Sequence, residues 1–209
     1  MQLEMKTTIL AAKDPASLEL AQQLLLEDRL VAFPTDTVYG VGALAFSSGA
    51  IEQLFVVKGR DTAKAIAVLL GDITALDQVT SSMGPLAERL AQRFWPGPLT
   101  LVVSRHPDLP SNLSPLPTIG VRMPDHPVTL ELLNHTGPMA VTSANLSGGS
   151  NAITAQQVFD QLHGRIPLIL DGGQTPGGQP STVVDCTGDQ LVILRQGPLT
   201  HVQLQAALD

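Results

Sequence analysis

The chain has 209 residues, of which 44% are hydrophobic and 15% charged, a composition that excludes a disordered protein and allows one domain with a substantial core. Its 12 lysines and arginines against 19 aspartates and glutamates give a net charge of −7, which excludes a protein that binds nucleic acid through general basicity. The single cysteine, Cys186, excludes an internal disulfide and a thiolate zinc site. No signal peptide and no apolar run near ~18 residues is visible, so we expect a cytoplasmic protein without a membrane segment.

The first helix is predicted from its start signals. Asp14 is suited to be the N-cap, and Pro15 to be the first helical residue, where its missing amide hydrogen costs little. The apolar residues that follow at helical spacing predict the buried stripe, which is Leu18, Ala21, Leu24 and Leu25.

Short strands and helices alternate along the rest of the chain. Strands are predicted over residues 30–33, 43–46 and 65–70. Gly40 and Gly42 are expected to close a turn, and a helix is predicted to begin with Ser48 as its N-cap. Further helices are predicted over 85–94, 128–134, 154–162 and 200–208, and further strands over 99–104, 118–123, 138–141, 166–170, 182–185 and 191–194. This intermingling predicts an α/β fold. The last two strands are joined by too few residues for a parallel crossover, so we expect a mixed sheet.

Cations and hydroxyls near element ends suggest an anion site. Lys58, Arg60 and Lys64 follow the helix that begins near residue 48, and Arg122 and Arg195 end two later strands. Small hydroxyl residues accompany them: Thr35, Thr37, Thr118, Thr142, Ser143, Ser147, Ser181 and Thr182. This mixture is what a polyphosphate and a carboxylate would require. For Lys58 alone, a surface cation that complements the helix dipole, worth ~0.3–1 kcal/mol, explains the pattern equally well.

Other kinds of site lack their motifs. The sequence contains no GxxxxGK[ST] and no GxGxxG after a strand, which excludes a P-loop and the usual dinucleotide fold. The histidines are dispersed without an HExxH pair, and GxSxG is absent. Cys186 lies among apolar residues and is expected in the core. The glycine-rich and proline-rich stretch 171–180 is interpreted either as a lid or as a plain surface connection.

Several motifs in order resemble the YrdC-like family, whose members are L-threonylcarbamoyladenylate synthases. They are PTDTVYG (34–40), KGR (58–60) with Lys64, FWPGPLT (94–100), VRMPDHP (121–127), TSANLSG (142–148), STVVD (181–185) and Arg195. The resemblance implies a domain over 7–199, a tail over 200–209 and no second domain. It also implies a single twisted mixed sheet, flanked by helices, around a concave and locally basic cavity.

The resemblance implies an activity and its residues. A nucleotidyltransferase would join L-threonine, bicarbonate or CO2 and ATP into L-threonylcarbamoyl-AMP, release pyrophosphate, and supply a tRNA-modifying transferase complex. Mg²⁺ would accompany ATP without a protein-held metal site. Phosphate positioning, with no covalent nucleophile, would fall to Lys58, Arg60 and Lys64. ATP would be bound by Arg60, Lys64, Thr118, Ser143, Asn151 and Arg195. Threonine would be bound by Thr37, Arg122, Val141 and Ser181.

The chain departs from the family pattern at a few positions, and other functions stay open. Asp61 stands where the family usually has proline, Leu69 where some relatives have histidine, and Asn151 where some have serine. Asp61 would weaken phosphate binding if it pointed inward. One alternative function is a double-stranded RNA-binding or ribosome-maturation protein that uses the same basic cavity. Another is a carbamoyl-transfer module like that inside hydrogenase-maturation proteins.

Overall fold

One eleven-stranded sheet runs through the computed structural model, which describes residues 5–208. Its strands are β1 (Thr8–Ala11), β2 (Val31–Phe33), β3 (Gly40–Leu44), β4 (Ala67–Leu69), β5 (Thr80–Ser82), β6 (Leu99–Arg105), β7 (Thr118–Arg122), β8 (Met139–Ser143), β9 (Leu168–Asp171), β10 (Thr182–Asp185) and β11 (Val192–Arg195). The α-helices of this region are α1 (Pro15–Leu26), α2 (Ser48–Lys58), α3 (Pro85–Phe94), α4 (Pro127–Thr136), α5 (Ala155–Leu162) and α6 (His201–Gln205).

The sheet is mixed, as the sequence predicted. The strand order is β1-β9-β2-β3-β8-β4-β7-β6-β10-β11, and β5 pairs with β6 beside this path. β4 and β7 are parallel and so are β6 and β10, whereas β3, β8 and β4 alternate in direction. β10 and β11 are antiparallel, which confirms the inference from their short connection.

Helices cover both faces of the sheet. On one face, α1 and α4 pack against β2 and β8 through residues such as Leu25, Phe33 and Leu132. On the other, α2, α3 and α5 bury Leu54, Leu90 and other residues. The fold class predicted from the sequence is therefore confirmed. Among residues 5–208, each helix is too short or too polar to cross a bilayer.

Local helix starts were predicted well, with one shift. Asp14 caps α1 by accepting a hydrogen bond from the amide of Ala16 at 3.1 Å. The prediction that Ser48 caps α2 is wrong, because Ser47 has the extended backbone and its Oγ accepts from the amide of Ala50 at 3.2 Å. In the predicted stripe of α1, Leu24 is only partly buried.

The largest error concerns Gly40 and Gly42, which lie inside β3 and not in a turn. A Cβ at Gly42 would lie 2.9 Å from the Cε of Met139 and 3.0 Å from a methyl of Val141. Glycine is needed there because β3 passes close to the side chains of β8. The prediction also missed β1, β5 and a 3-10 helix over Ile73–Gln78, and it drew the tail helix too long, since α6 ends at Gln205. Asp209 lies outside the described residues.

Candidate active site: an arginine-lined cavity

A cavity of about 280 Å³ lies on the face of the sheet that α1 and α4 cover. Leu69 and Val141 line the cavity and also belong to the apolar cluster that these two helices bury. The walls of the cavity come from the turn before β3, from the segment between α2 and β4, and from seven strands. The predicted site residues that line it are Thr37, Arg60, Arg122, Val141, Ser143, Ser181 and Arg195. The volume is near the lower end of the ~300–1,000 Å³ range of small-molecule sites.

Small residues form the floor of this cavity. Gly120 lies beside Ala67 in the neighbouring strand and opposite Val102 in β6. A Cβ at Gly120 would lie 3.1 Å from Cγ2 of Thr100 and 3.5 Å from Cβ of Ala67. No local pattern marks Gly120 as a site residue, because its place in the floor depends on how β4, β7 and β6 are aligned.

Arg122 enters the cavity from the end of β7, and its guanidinium is held by protein acceptors. Arg122 as a whole is 6% exposed. Nε donates to the carbonyl of Gly97 at 3.0 Å, Nη1 donates to Oγ1 of Thr37 at 3.1 Å, and Nη2 donates to Oδ1 of Asp36. A guanidinium has five N–H donors. Three are committed here, which leaves one on each terminal nitrogen, the pair needed for a two-point contact with a carboxylate.

The turn before β3 orients Thr37 toward Arg122. Oγ1 of Thr35 donates to the carbonyl of Val38 at 2.7 Å, so its single hydrogen is already used. The hydroxyl of Thr37, 3.0 Å away, therefore donates to Thr35 and accepts from Arg122. Asp36 in the same turn forms an ion pair with Arg122, and its Oδ2 is buried without a hydrogen-bond partner in the described structure. Asp36 is not among the predicted site residues, although it stands between Thr35 and Thr37.

Arg195 and Arg60 complete the cationic lining. Nε and Nη2 of Arg195 both donate to the carbonyl of Ser181, at 3.0 and 2.9 Å, and Nη2 also donates to its hydroxyl. Arg60 donates from Nη2 to the carbonyl of Ala65 at 2.9 Å, and its buried Nε has no acceptor among the described residues.

Burial lowers the pKa of all three cavity arginines, and a neighbouring guanidinium lowers it further at Arg122 and Arg195. Burial lowers the pKa of Arg122, with Asp36 raising it and Arg195 lowering it further. Burial and then the charge of Arg60 lower the pKa of Arg195. Burial also lowers the pKa of Arg60, and the nearby Asp61 raises it. An anion in the cavity would relieve this repulsion.

Lys58 does not line the cavity. It is 2% exposed, and its ammonium donates to the carbonyls of Ser143 and Asn145, while its own carbonyl accepts from the amide of Ser147 at 2.9 Å. Burial, followed by the charge of Arg60, lowers its pKa to about 8. The structure therefore places Lys58 as a buried link to the turn after β8 and not as an exposed cation at a helix end, and its part in phosphate positioning stays a prediction.

Three other predicted residues also lie outside the lining. Lys64 and Asn151 are exposed. Thr118 is on the same face of β7 as Gly120 and Arg122, two residues beyond the floor. Asp61 is exposed, and its Oδ1 accepts from the amide of Ala63 at 2.9 Å, so the carboxylate is engaged in its own turn.

The stretch 171–180 packs against the turn that carries Thr37. The amide of Gly178 donates to the carbonyl of Thr37 at 3.0 Å, and Pro180 lines the cavity. The hydroxyl of Tyr39 donates to the carbonyl of Gly173 at 2.7 Å. The stretch thus borders the site, and its movement as a lid stays a prediction.

A model of the Sua5/YciO/YrdC family, described as telomere recombination, matches residues 23–197. The chain belongs to this family. The threonylcarbamoyl-AMP synthase of Bacillus subtilis is 42% identical over 205 residues, covering 97% of this chain and 59% of the relative. A putative threonylcarbamoyl-AMP synthase of Mycobacterium tuberculosis is 41% identical over 181 residues, covering 86% of this chain and 83% of the relative.

The fold is also that of solved family members. The crystal structure of P. abyssi Sua5 complexed with L-threonine superposes with a TM-score of 0.91 at 35% identity, covering 98% of this chain and 60% of that protein. The chain thus spans about three fifths of the length of the Bacillus subtilis synthase and of P. abyssi Sua5.

Proposed function

We propose that the chain synthesises L-threonylcarbamoyl-AMP from L-threonine, bicarbonate or CO2, and ATP, with release of pyrophosphate. The observation that carries this proposal is the convergence of Arg60, Arg122 and Arg195 from three separate elements on one cavity. The similarity to threonylcarbamoyl-AMP synthases, and to a Sua5 structure complexed with L-threonine, supports the choice of substrate. The product would pass to a tRNA-modifying transferase complex.

Threonine would bind at the Arg122 end of the cavity. The two uncommitted N–H groups of Arg122 would take its carboxylate, and the hydroxyl of Thr37 helps to hold that guanidinium in place. Val141 and Ser181 would complete the amino-acid pocket, since both line the cavity.

ATP would bind along the Arg60 and Arg195 side. These guanidinium groups would hold the phosphates together with Ser143, and Lys64, Thr118 and Asn151 would extend the nucleotide site outward from the lining. Lys58 would contribute by holding the end of β8, where Ser143 lies, and the turn after it. Among the described residues, no group of three or more acidic, histidine or cysteine side chains is placed to hold a metal. We expect Mg²⁺ to arrive with ATP, bound by phosphate oxygens and water, where it would supply charge neutralisation.

The reaction needs orientation more than a covalent nucleophile. The amine of threonine adds to CO2 to give a carbamate, losing a proton, and a carbamate oxygen then attacks the α-phosphorus of ATP. The new O–P bond forms as the bond to the bridging oxygen breaks, and pyrophosphate leaves with that oxygen. Buried cations aimed at phosphate oxygens stabilise the charge that develops in such a displacement.

The test is pyrophosphate release by the purified protein with ATP, Mg²⁺, threonine and bicarbonate. Release should require both threonine and bicarbonate, and serine should replace threonine poorly. Arg122→Lys keeps the charge but loses the planar fork, so it should raise the KM for threonine by about tenfold or more. Absence of release that depends on threonine and bicarbonate would refute the proposal. Salt-dependent RNA binding that is lost on Arg60→Glu, without nucleotide affinity, would instead favour the RNA-binding alternative.

A further inference from the structure

The three arginines of the cavity differ in one respect. Arg122 forms an ion pair with Asp36, in which the two side chains are 7% and 12% exposed. Within residues 5–208, Arg60 and Arg195 form no ion pair, and their acceptors are the carbonyls of Ala65 and Ser181 and a hydroxyl. One end of the cavity is therefore nearly neutral, and the other carries two guanidinium groups without a close ion pair, of which Arg60 has the exposed Asp61 nearby.

The contacts of Asp36 also fix the direction in which Arg122 binds. Its Oδ1 occupies one N–H of Nη2, while Gly97 and Thr37 occupy one N–H on each of the other two nitrogens. One N–H group remains on each terminal nitrogen, and the three bonds keep the guanidinium from rotating freely. Asp36 offsets most of the positive charge of Arg122 and repels further negative charge. A carboxylate, with a single negative charge, therefore suits this end better than a di- or trianionic phosphate.

We propose that Asp36 is a specificity-determining positioning residue, which divides the arginine cavity into a carboxylate subsite at Arg122 and a phosphate subsite at Arg60 and Arg195. Asp36 acts through Arg122, since it is not among the residues that line the cavity. It keeps phosphate groups off Arg122, so that the amino-acid site stays open when ATP or pyrophosphate is present. This inference rests on the proposed function for the identity of the two ligands.

The experiment measures binding and not synthesis, by calorimetry of threonine and of pyrophosphate with the full chain. In the native protein, pyrophosphate should bind once and should not compete with threonine. In Asp36→Asn, the hydrogen bond to Arg122 can persist while the negative charge is lost. Pyrophosphate should then compete with threonine and raise the apparent Kd of threonine by about tenfold or more, which corresponds to ~1.4 kcal/mol.

Two further variants separate charge from structure. Asp36→Glu retains the carboxylate and should restore the exclusion of pyrophosphate. Thr37→Val removes a hydrogen-bond partner of Arg122 but no charge, so it should weaken threonine binding without admitting pyrophosphate. Asp61→Asn is the matched control, because Asp61 is an exposed carboxylate beside Arg60. It should leave the competition unchanged.

The outcomes are distinguishable. If neither threonine nor pyrophosphate binds the native protein, the proposed function fails. If both bind and Asp36→Asn shows no new competition, or if Thr37→Val shows the same competition, the role assigned to Asp36 is refuted. Should Asp36→Asn fail to fold, Asp36→Ser, which also lacks the negative charge, takes its place in the same competition measurement.

Discussion

The ammonium of Lys58 donates hydrogen bonds to the carbonyl oxygens of Ser143 and Asn145, tying the last turn of α2 to the turn after β8. The amide of Ser147 closes the connection from the other side by donating to the carbonyl of Lys58 at 2.9 Å. A cation that the sequence pattern assigned to a ligand is thus engaged with the backbone of its own protein. Its role is to shape the site wall that Thr142 and Ser143 provide.

Replacement of Lys58 should therefore affect stability, and replacement of Lys64 should not. Lys58→Met leaves two carbonyls without their donor, and we expect a loss of about 1–3 kcal/mol in the free energy of unfolding. Lys64→Met is the matched control, because Lys64 is exposed, and it should change ATP affinity with little change in stability. Urea unfolding and ATP titration of both variants test this. Equal stability of the two variants would contradict the role of Lys58.

The lowered pKa of Lys58 predicts a dependence of stability on pH. Its pKa is about 8 in the folded protein against an ordinary value of 10.5. The cost of burying its charge is present in full below pH 8. Between pH 8 and 10.5 the unfolded chain binds more protons at this group than the folded one, so its contribution to the free energy of unfolding rises with pH.

The measurement is the difference between the native protein and Lys58→Met, by urea unfolding from pH 7 to 9.5. This range stays below the ionisation of Tyr39, whose pKa burial raises to about 12. The destabilisation caused by the mutation should grow as pH rises above 8. A difference that is flat or shrinks over this range would contradict a lowered pKa.

Gly120 should be required for ligand access and less for folding. Gly120→Val would place methyl groups on the cavity floor near Thr100, where a Cβ alone already approaches to 3.1 Å. We expect affinity for threonine or ATP to fall by about tenfold, with a stability loss of ~1–3 kcal/mol from overpacking. Gly49→Ala is the control, since a Cβ there meets nothing within 4 Å and the residue lies in α2. It should raise stability by about 0.5–1 kcal/mol and leave binding unchanged.

Cys186 should be unreactive in the folded protein. It is 5% exposed, and burial, followed by the charge of Asp185, raises the pKa of its thiol from 9.0 to about 12. At pH 8 the thiolate fraction falls by about a thousandfold relative to a free thiol, and the thiolate is the reactive form. Because this is the single cysteine of the chain, the rate of thiol labelling with and without urea gives a direct readout. Labelling at equal rates in both conditions would place Cys186 outside the core.

Features that depend on contacts between residues close together in the chain were predictable from the sequence. The cap of α1 was identified because Asp14 accepts a hydrogen bond from an amide two positions away. The motif series also predicted the family, and seven of the eleven predicted site residues line the cavity. The short β10–β11 connection predicted antiparallel pairing.

Only the tertiary structure decided which of these polar groups face one another. Arg122 meets Asp36 across 86 positions and Lys58 meets Ser143 across 85, and no local pattern encodes such pairings. Gly42 belongs to a strand and not to a turn because β8 passes within contact of it. Strand register and burial arise from packing between distant segments, so they decided that Lys58 is internal and that only Arg122 of the three cavity arginines has a carboxylate partner among the described residues.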